Sequence, residues 1–236
     1  MGTEGIEELM EQHAERCTLD HEGSSGRMEQ DLAVELYERS LSRRALKYRY
    51  FVGDGDSKAF RAVVSAKPYG ESERIIKKEC VGRVQKRMGT RLRELRRSRR
   101  SLRGRDNLSL KEIEKLTSYY GNAIRRNSDD AVKMKEAIWV TFYHRISTDQ
   151  LPLHHLCPPG PSSWCKWQRA VSKKEVTEYK HPQCWSEELQ DALKLIYQQL
   201  SNDELLERCV GGFTQNNNES YHSIVWQLAP KSRFCG

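Results

Sequence analysis

The spacing of apolar residues along the chain changes character once, near Arg83. Residues 31–42 carry Leu32, Val34, Leu36, Tyr37 and Leu41, a pattern that predicts a short helix. Residues 46–52 differ: Tyr48, Tyr50, Phe51 and Val52 are strand formers in a short run. That run ends at Gly53-Asp54-Gly55-Asp56-Ser57, where two acids sit on a glycine-loosened turn. A helix over 58–66 stops before Lys67-Pro68-Tyr69-Gly70, and residues 74–81 read as a second strand. Strand, helix, strand is the grammar of an α/β sheet.

From Arg83 onward the pattern predicts helices. Val84, Met88, Leu92 and Leu95 recur at helical spacing. Ser109 with Glu112 reads as a capping box ahead of Ile113, Leu116 and Tyr120. Ser128 reads as the cap of the next helix, with Asp129 and Asp130 in its first turn, where the helix dipole favours negative charge. Residues 132–143 are the most apolar stretch. The segment 149–163, with Pro152, Pro158, Pro159 and Pro161, can be neither a long helix nor a central strand. Ser186 caps an amphipathic helix striped by Leu189, Ala192, Leu193, Ile196 and Leu200. A short helix to Cys209 ends at Gly211-Gly212, and a last one begins near Asn216 and stops at Pro230. Residues 1–30 read as an acidic helix followed by a tight-turn loop, His21 to Gly26.

Charge sharpens this picture. The 236 residues carry a net charge of +7, but residues 83–105 hold eleven Lys/Arg against one acid, Glu94. That segment is therefore +10 and the remainder −3. One basic segment in a mildly acidic chain points to a polyanion partner or, more blandly, to a solvated helix face. No apolar run reaches the roughly 18 residues of a membrane span. The acidic start, Met1 to Glu15, predicts no cleavable signal peptide. Seven scattered cysteines without a secretory signal predict reduced thiols.

Candidate chemistry falls in three places. Asp54 and Asp56 follow a strand end, where open α/β sheets bind ligands. Glu219 opens a helix among Asn216, Asn217 and Asn218, with His222 one turn on. Carboxylates so placed can hold magnesium, and a pair of such ions would clamp the attacking and leaving oxygens of a phosphoryl transfer. A glycine-aspartate turn can equally be only a turn. His154, Cys157 and Cys165 lie in the proline-rich loop, with His144 before them and His181, Cys184 and Cys209 after. Structural zinc is one reading; buried thiols and ordinary histidines are the other, and the fourth ligand is undetermined. Trp139, Trp164, Trp167 and Trp185 surround this region, as core or as stacking surfaces for bases; core is the commoner use.

Several blocks of sequence form an ordered series along the chain. They are Cys17 with His21-Glu22-Gly23-Ser24-Ser25-Gly26-Arg27-Met28-Glu29, then Gly53-Asp54-Gly55-Asp56-Ser57-Lys58. Glu79-Cys80-Val81-Gly82-Arg83-Val84-Gln85-Lys86-Arg87-Met88-Gly89 and Tyr119-Tyr120-Gly121-Asn122-Ala123-Ile124-Arg125 follow. His154 to Cys157, Ser163-Trp164-Cys165 and Thr214-Gln215-Asn216-Asn217-Asn218-Glu219-Ser220 complete the series, and together these blocks resemble the Mutator-like transposases of animals.

The resemblance implies an α/β, ribonuclease-H-like core with a D-D-E triad, magnesium, DNA cleavage and strand transfer, and a nuclear location. By motif the second acid is Asp56 or Asp54, with Asp56 favoured, and the third is Glu219. Residues 1–82 would form a partial core, 83–210 an all-helical insertion, and 211–236 the return to the core. The family's opening aspartate belongs on a strand upstream of the Cys17 block, so the resemblance implies an N-terminally incomplete core with impaired chemistry. Glu22, Glu29 and Glu79 are the carboxylates available to stand in for it. The family's Cys-x-x-His is here Cys80-Val81-Gly82-Arg83. The implied partner is DNA, with no membrane and the homo-oligomeric state left open. Its contacts would be Arg91, Arg93, Arg96, Arg97, Arg99, Arg100, Arg103 and Arg105. The alternative is a domesticated nuclear protein that binds DNA or another partner without chemistry.

Overall fold

A computed structural model describes residues 23–53, 58–103 and 108–228. Asp54, Asp56, Glu22, Cys17 and Arg105 therefore lie outside the described residues. The order is α1 (Ser25–Arg44), β1 (Tyr50–Gly53), α2 (Lys58–Ala66), β2 (Ile76–Glu79) and α3 (Val81–Ser98). Then come α4 (Leu110–Arg126), α5 (Ala131–Ile146), α6 (Lys166–Lys173), α7 (Glu187–Leu200), α8 (Asp203–Cys209) and α9 (Asn216–Leu228). Single 3-10 turns cover Arg100–Leu102, His154–Leu156 and Val176–Glu178.

The chain divides into two units, residues 1–49 with 56–76, and residues 50–55 with 77–236. In the first, α1 packs on α2. Its helix starts earlier than the apolar pattern indicates, because the Ser24 side chain accepts from the Arg27 amide and draws Ser25 and Gly26 into the first turn. Tyr37 is buried with its ring edge-on to Tyr48 at 5.6 Å. The Tyr69 hydroxyl accepts from the Tyr48 amide at 2.8 Å and meets Ser40 Oγ at 2.7 Å. Burial pushes the Tyr37 phenol up to about 12.

β1 and β2, all but one of whose residues fall in the second unit, pair in parallel: the Ile76 amide donates to the Arg49 carbonyl and the Cys80 amide to that of Gly53, so both strands advance together. Among the described residues this two-stranded sheet is the whole β content, joined by the crossover that contains α2. The α/β reading holds in that coarse sense, within a chain that is mostly helix.

The helices of this unit share one core. Val84, Met88 and Leu92 of α3 meet Ile113, Leu116 and Tyr120 of α4, Met134, Ile138 and Phe142 of α5, and Leu189, Leu193 and Tyr197 of α7. Two aromatics find partners for their polar tips: Tyr120 Oη donates to the Leu200 carbonyl at 2.8 Å, and Trp139 Nε1 to Ser201 Oγ at 3.0 Å, whereas the buried Trp185 Nε1 has no partner among the described residues. Trp139 and Trp185 thus belong to the core, with Phe142 between them.

Two caps differ from the sequence pattern. Asp130, not Ser128, caps α5, its carboxylate accepting from the Val132 and Lys133 amides. A carboxylate that accepts two amides outcompetes a hydroxyl two residues earlier. The Ser109 side chain does accept from the Glu112 amide, but Glu112 turns away to Arg145, an ion pair at 2.5 Å with both side chains largely buried. The box is therefore half formed.

Candidate functional site

Residues 213–215 fasten the last helix to the sheet. The Val81 amide donates to the Phe213 carbonyl at 2.9 Å, and the Gln215 amide reaches Cys80 Sγ at 3.4 Å. Gln215 Nε2 donates to the Val52 carbonyl at 3.1 Å. Both strand ends are gripped by the segment that leads into α9, which then begins at Asn216 with Glu219 in its first turn. Gly211 and Gly212, with φ of 101° and 62°, make the turn that delivers this segment from α8.

Glu219 is half exposed, with Arg83 Nε at 3.7 Å and Lys86 Nζ at 3.8 Å. His222 stacks on Trp226 at 5.3 Å instead of joining the carboxylate. Glu29 is exposed on α1. Glu79 ends β2 fully buried, with Arg87 at 2.7 Å and Arg208 at 3.5 Å, so its charge is committed to two arginines.

The basic segment forms α3 and the 3-10 turn after it. Its arginines are not equivalent. Arg103 donates to the carbonyls of Arg96 and Arg97 at 3.0 and 3.1 Å and closes the end of α3. Arg91 bonds Gln199, and Arg99 lies 3.9 Å from Glu188. Arg96 is half-buried. Arg93, Arg97 and Arg100 are exposed with no ion-pair partner among the described residues. Arg83, Lys86, Arg93 and Arg97 recur at three-, seven- and four-residue steps, which places them on one face of α3. That face begins at Glu219.

The proline-rich loop gathers the second cluster. The ligand atoms of His144, His154, Cys157 and Cys165 all lie within 4.8 Å of one another. His144 comes from the last turn of α5, His154 from the 3-10 turn, Cys157 from just after it, and Cys165 caps α6. His154, Cys157 and Cys165 are buried. The Cys165 thiol is pushed well below the ordinary thiol range, chiefly by the hydrogen bond from Cys157, with His144 and His154 adding to it against burial. The Cys157 thiol moves the opposite way, because it supplies that hydrogen bond and is itself buried. Trp164 lies edge-on to His144 at 4.8 Å and Trp167 stacks on His154 at 5.4 Å, so these two rings wall the cluster. Cys184 and Cys209 stand apart; burial pushes the Cys209 thiol up to about 12, with the charge of Glu79 adding to it.

The family model described as Mutator-like transposase matches residues 3–165. The chain belongs to the Mutator-like transposase family. The matched stretch of this Mutator-like transposase chain takes in the two aspartates that follow β1 in sequence, all of α3 and every member of the His/Cys cluster, ending at Cys165 itself. Glu219 lies beyond it. No curated protein and no solved structure matches the chain. No helix among the described residues is long and apolar enough to cross a membrane.

Proposed function

We propose that this chain is a DNA-binding transposase domain whose duplex runs along α3 toward Glu219. The observation that carries the reading is the cationic face of α3. Arg83, Lys86, Arg93 and Arg97 line up from the Glu219 carboxylate, and Lys86 to Arg97 spans about 16 Å at 1.5 Å per residue. A stripe of that length matches several successive phosphates on one strand, which cations hold without reading sequence.

In the same reading, the acids after β1 and Glu219 belong to one magnesium site of the D-D-E type, with Asp56 favoured over Asp54. Residues 213–215 support this, since they tie the start of α9 to the strand whose next residue is Asp54. Magnesium suits an all-carboxylate donor set and would assist phosphoryl transfer between DNA strands. The sheet and α9 would be parts of a ribonuclease-H-like core, and the helices of residues 83–210 the insertion between the second and third acids. Zinc takes a separate role, as a structural ion in the His/Cys cluster.

The test is magnesium-dependent cleavage of duplex DNA by the parent and by Glu219→Gln. Cleavage in the parent that disappears in the variant, with duplex binding retained, supports the chemistry. A second reading is a nuclear, non-catalytic DNA-binding protein. The ion pairs that Arg83 and Lys86 make with Glu219 favour it, because they compete with a metal for the carboxylate. Duplex binding by the parent with no cleavage at any magnesium concentration selects that reading and rejects the first.

A further inference from the structure

Residues 147–184 supply nothing to the shared hydrophobic core. What they bury instead is Ser147, His154, Cys157, Ser163, Cys165 and Gln168. A loop of nearly forty residues with no apolar centre needs another source of cohesion, as small domains with thin cores do.

Resting on the zinc reading of the cluster, we infer that His144, His154, Cys157 and Cys165 form a closed tetrahedral zinc site, with Asp149 and His181 as positioning residues that fix the donor atom of His154. The geometry fits. Bond lengths of ~2.05 Å to nitrogen and ~2.3 Å to sulfur give tetrahedral edges of ~3.3 Å between nitrogens and ~3.6 Å between nitrogen and sulfur. His144 Nδ1 and His154 Nδ1 are 3.2 Å apart. Cys157 Sγ is 3.7 Å from each of these nitrogens, and Cys165 Sγ is 3.5 Å from His154 Nδ1. Four protein donors complete the coordination shell, which makes the site structural rather than hydrolytic. Both cysteines bind as thiolates, any remaining thiol proton leaving to water, and the two thiolates neutralise the doubly charged ion inside a buried pocket.

Behind His154 stands a relay. His181 Nδ1 lies 2.6 Å from Asp149 Oδ1, and His181 Nε2 lies 3.0 Å from His154 Nε2. An ionised carboxylate only accepts, so His181 donates through Nδ1 and, as the neutral imidazole, accepts at Nε2. His154 must then carry its proton on Nε2, which leaves the Nδ1 lone pair facing the other three donors. Carboxylate-to-histidine bonds of this kind set the tautomer and raise the basicity of a metal ligand. The His181 amide also donates to Asp149 Oδ1 at 3.0 Å, and Gln168 Nε2 holds the His154 carbonyl at 2.7 Å. The His154 ring is thus held at Nε2 by His181 and on one face by Trp167, while Gln168 fixes its backbone.

The full chain, purified and loaded with zinc, is assayed for metal content, for affinity by competition with a chromophoric chelator, and for its spectrum after cobalt exchange. The expected result is one zinc per chain and the intense visible bands of tetrahedral cobalt with two thiolates. Cys184→Ser, whose sulfur points to the Ile146 carbonyl, retains both. Asp149→Asn and His181→Phe keep the cobalt spectrum but weaken zinc binding by about 10–100-fold. His144→Ala alters the cobalt spectrum. A parent chain with no stoichiometric zinc overturns the zinc reading and the inference with it. A zinc-loaded parent whose Asp149→Asn and His181→Phe variants bind as tightly, or whose His144→Ala variant has an unchanged spectrum, overturns the relay or the closed site while zinc itself stands. Asp149 is half exposed, and the retained cobalt spectrum distinguishes a positioning effect from loss of the fold.

Discussion

Replacing Arg87 with alanine should damage this protein more than neutralising the acid it pairs with. Glu79 is 1% exposed; Arg87 Nη2 donates to its Oε2 at 2.7 Å, and Arg208 Nε stands 3.5 Å from Oε1 without a hydrogen bond. Removing one partner of a buried pair costs about 3–5 kcal/mol, because the remaining charge is stranded away from water. Arg208 persists in Arg87→Ala, which lowers the expected cost to about 2–4 kcal/mol. Glu79→Gln strands nothing comparable: Arg87 and Arg208 are each about 30% exposed and reach water. Its cost is that of weakened hydrogen bonds, about 1–2 kcal/mol. Urea unfolding followed by circular dichroism reads both, with Arg87→Ala lowering the midpoint by about 1–2 M. The double variant should recover at least about 1 kcal/mol relative to the sum. Equal costs for the two single variants, or additivity in the double, would refute the view of Glu79 as a structural carboxylate.

Further expectations come from other elements. Gly211→Ala forces a left-handed backbone onto a residue with Cβ, which would stand 2.3 Å from the Phe213 ring. It should lose about 1–3 kcal/mol by thermal or urea unfolding. Tyr120→Phe leaves the Leu200 carbonyl without its donor and should cost about 1–2 kcal/mol in the same assay. The two backbone amides that Asp130 caps hold its carboxyl below the ordinary carboxylate range, that of the Lys133 amide foremost. Its folded-state value is therefore the lower one, so its contribution is present at neutral pH and is lost as pH falls through that value. Urea midpoints measured across the acid range should fall less steeply in Asp130→Asn than in the parent.

The helices of the second unit are legible where the sequence carries one clear periodic stripe, with or without a single cap. Val84, Met88 and Leu92 marked α3, and Ser186 with Leu189 and Leu193 marked α7. Cap choice was less so, because Ser128, Asp129 and Asp130 stand together and only backbone geometry decides which side chain reaches the free amides. The short α6 carries no clear sequence signal, since Lys166 to Lys173 offers only Trp167, Ala170 and Val171 as apolar positions. At the His/Cys cluster, the spacing of His154, Cys157 and Cys165 offers three donors. His144 was obscured because it sits in the last turn of the most apolar helix, where a histidine serves equally as a favourable charge on the helix dipole. The Asp149–His181 pair spans 32 residues, and only folding of the loop brings it behind His154.

The basic segment looked uniform as a run of arginines; folding sorts it. Arg103 is consumed by the end of α3, while Arg93, Arg97 and Arg100 remain exposed. The most direct test of DNA engagement along α3 is the affinity for duplex DNA measured across salt, for the parent and for the triple variant Arg93→Ala, Arg97→Ala, Arg100→Ala. Three lost phosphate contacts should make the slope of log affinity against log salt shallower by about 2.7, at about 0.9 per contact. A triple variant with the parent's slope and affinity would contradict the account.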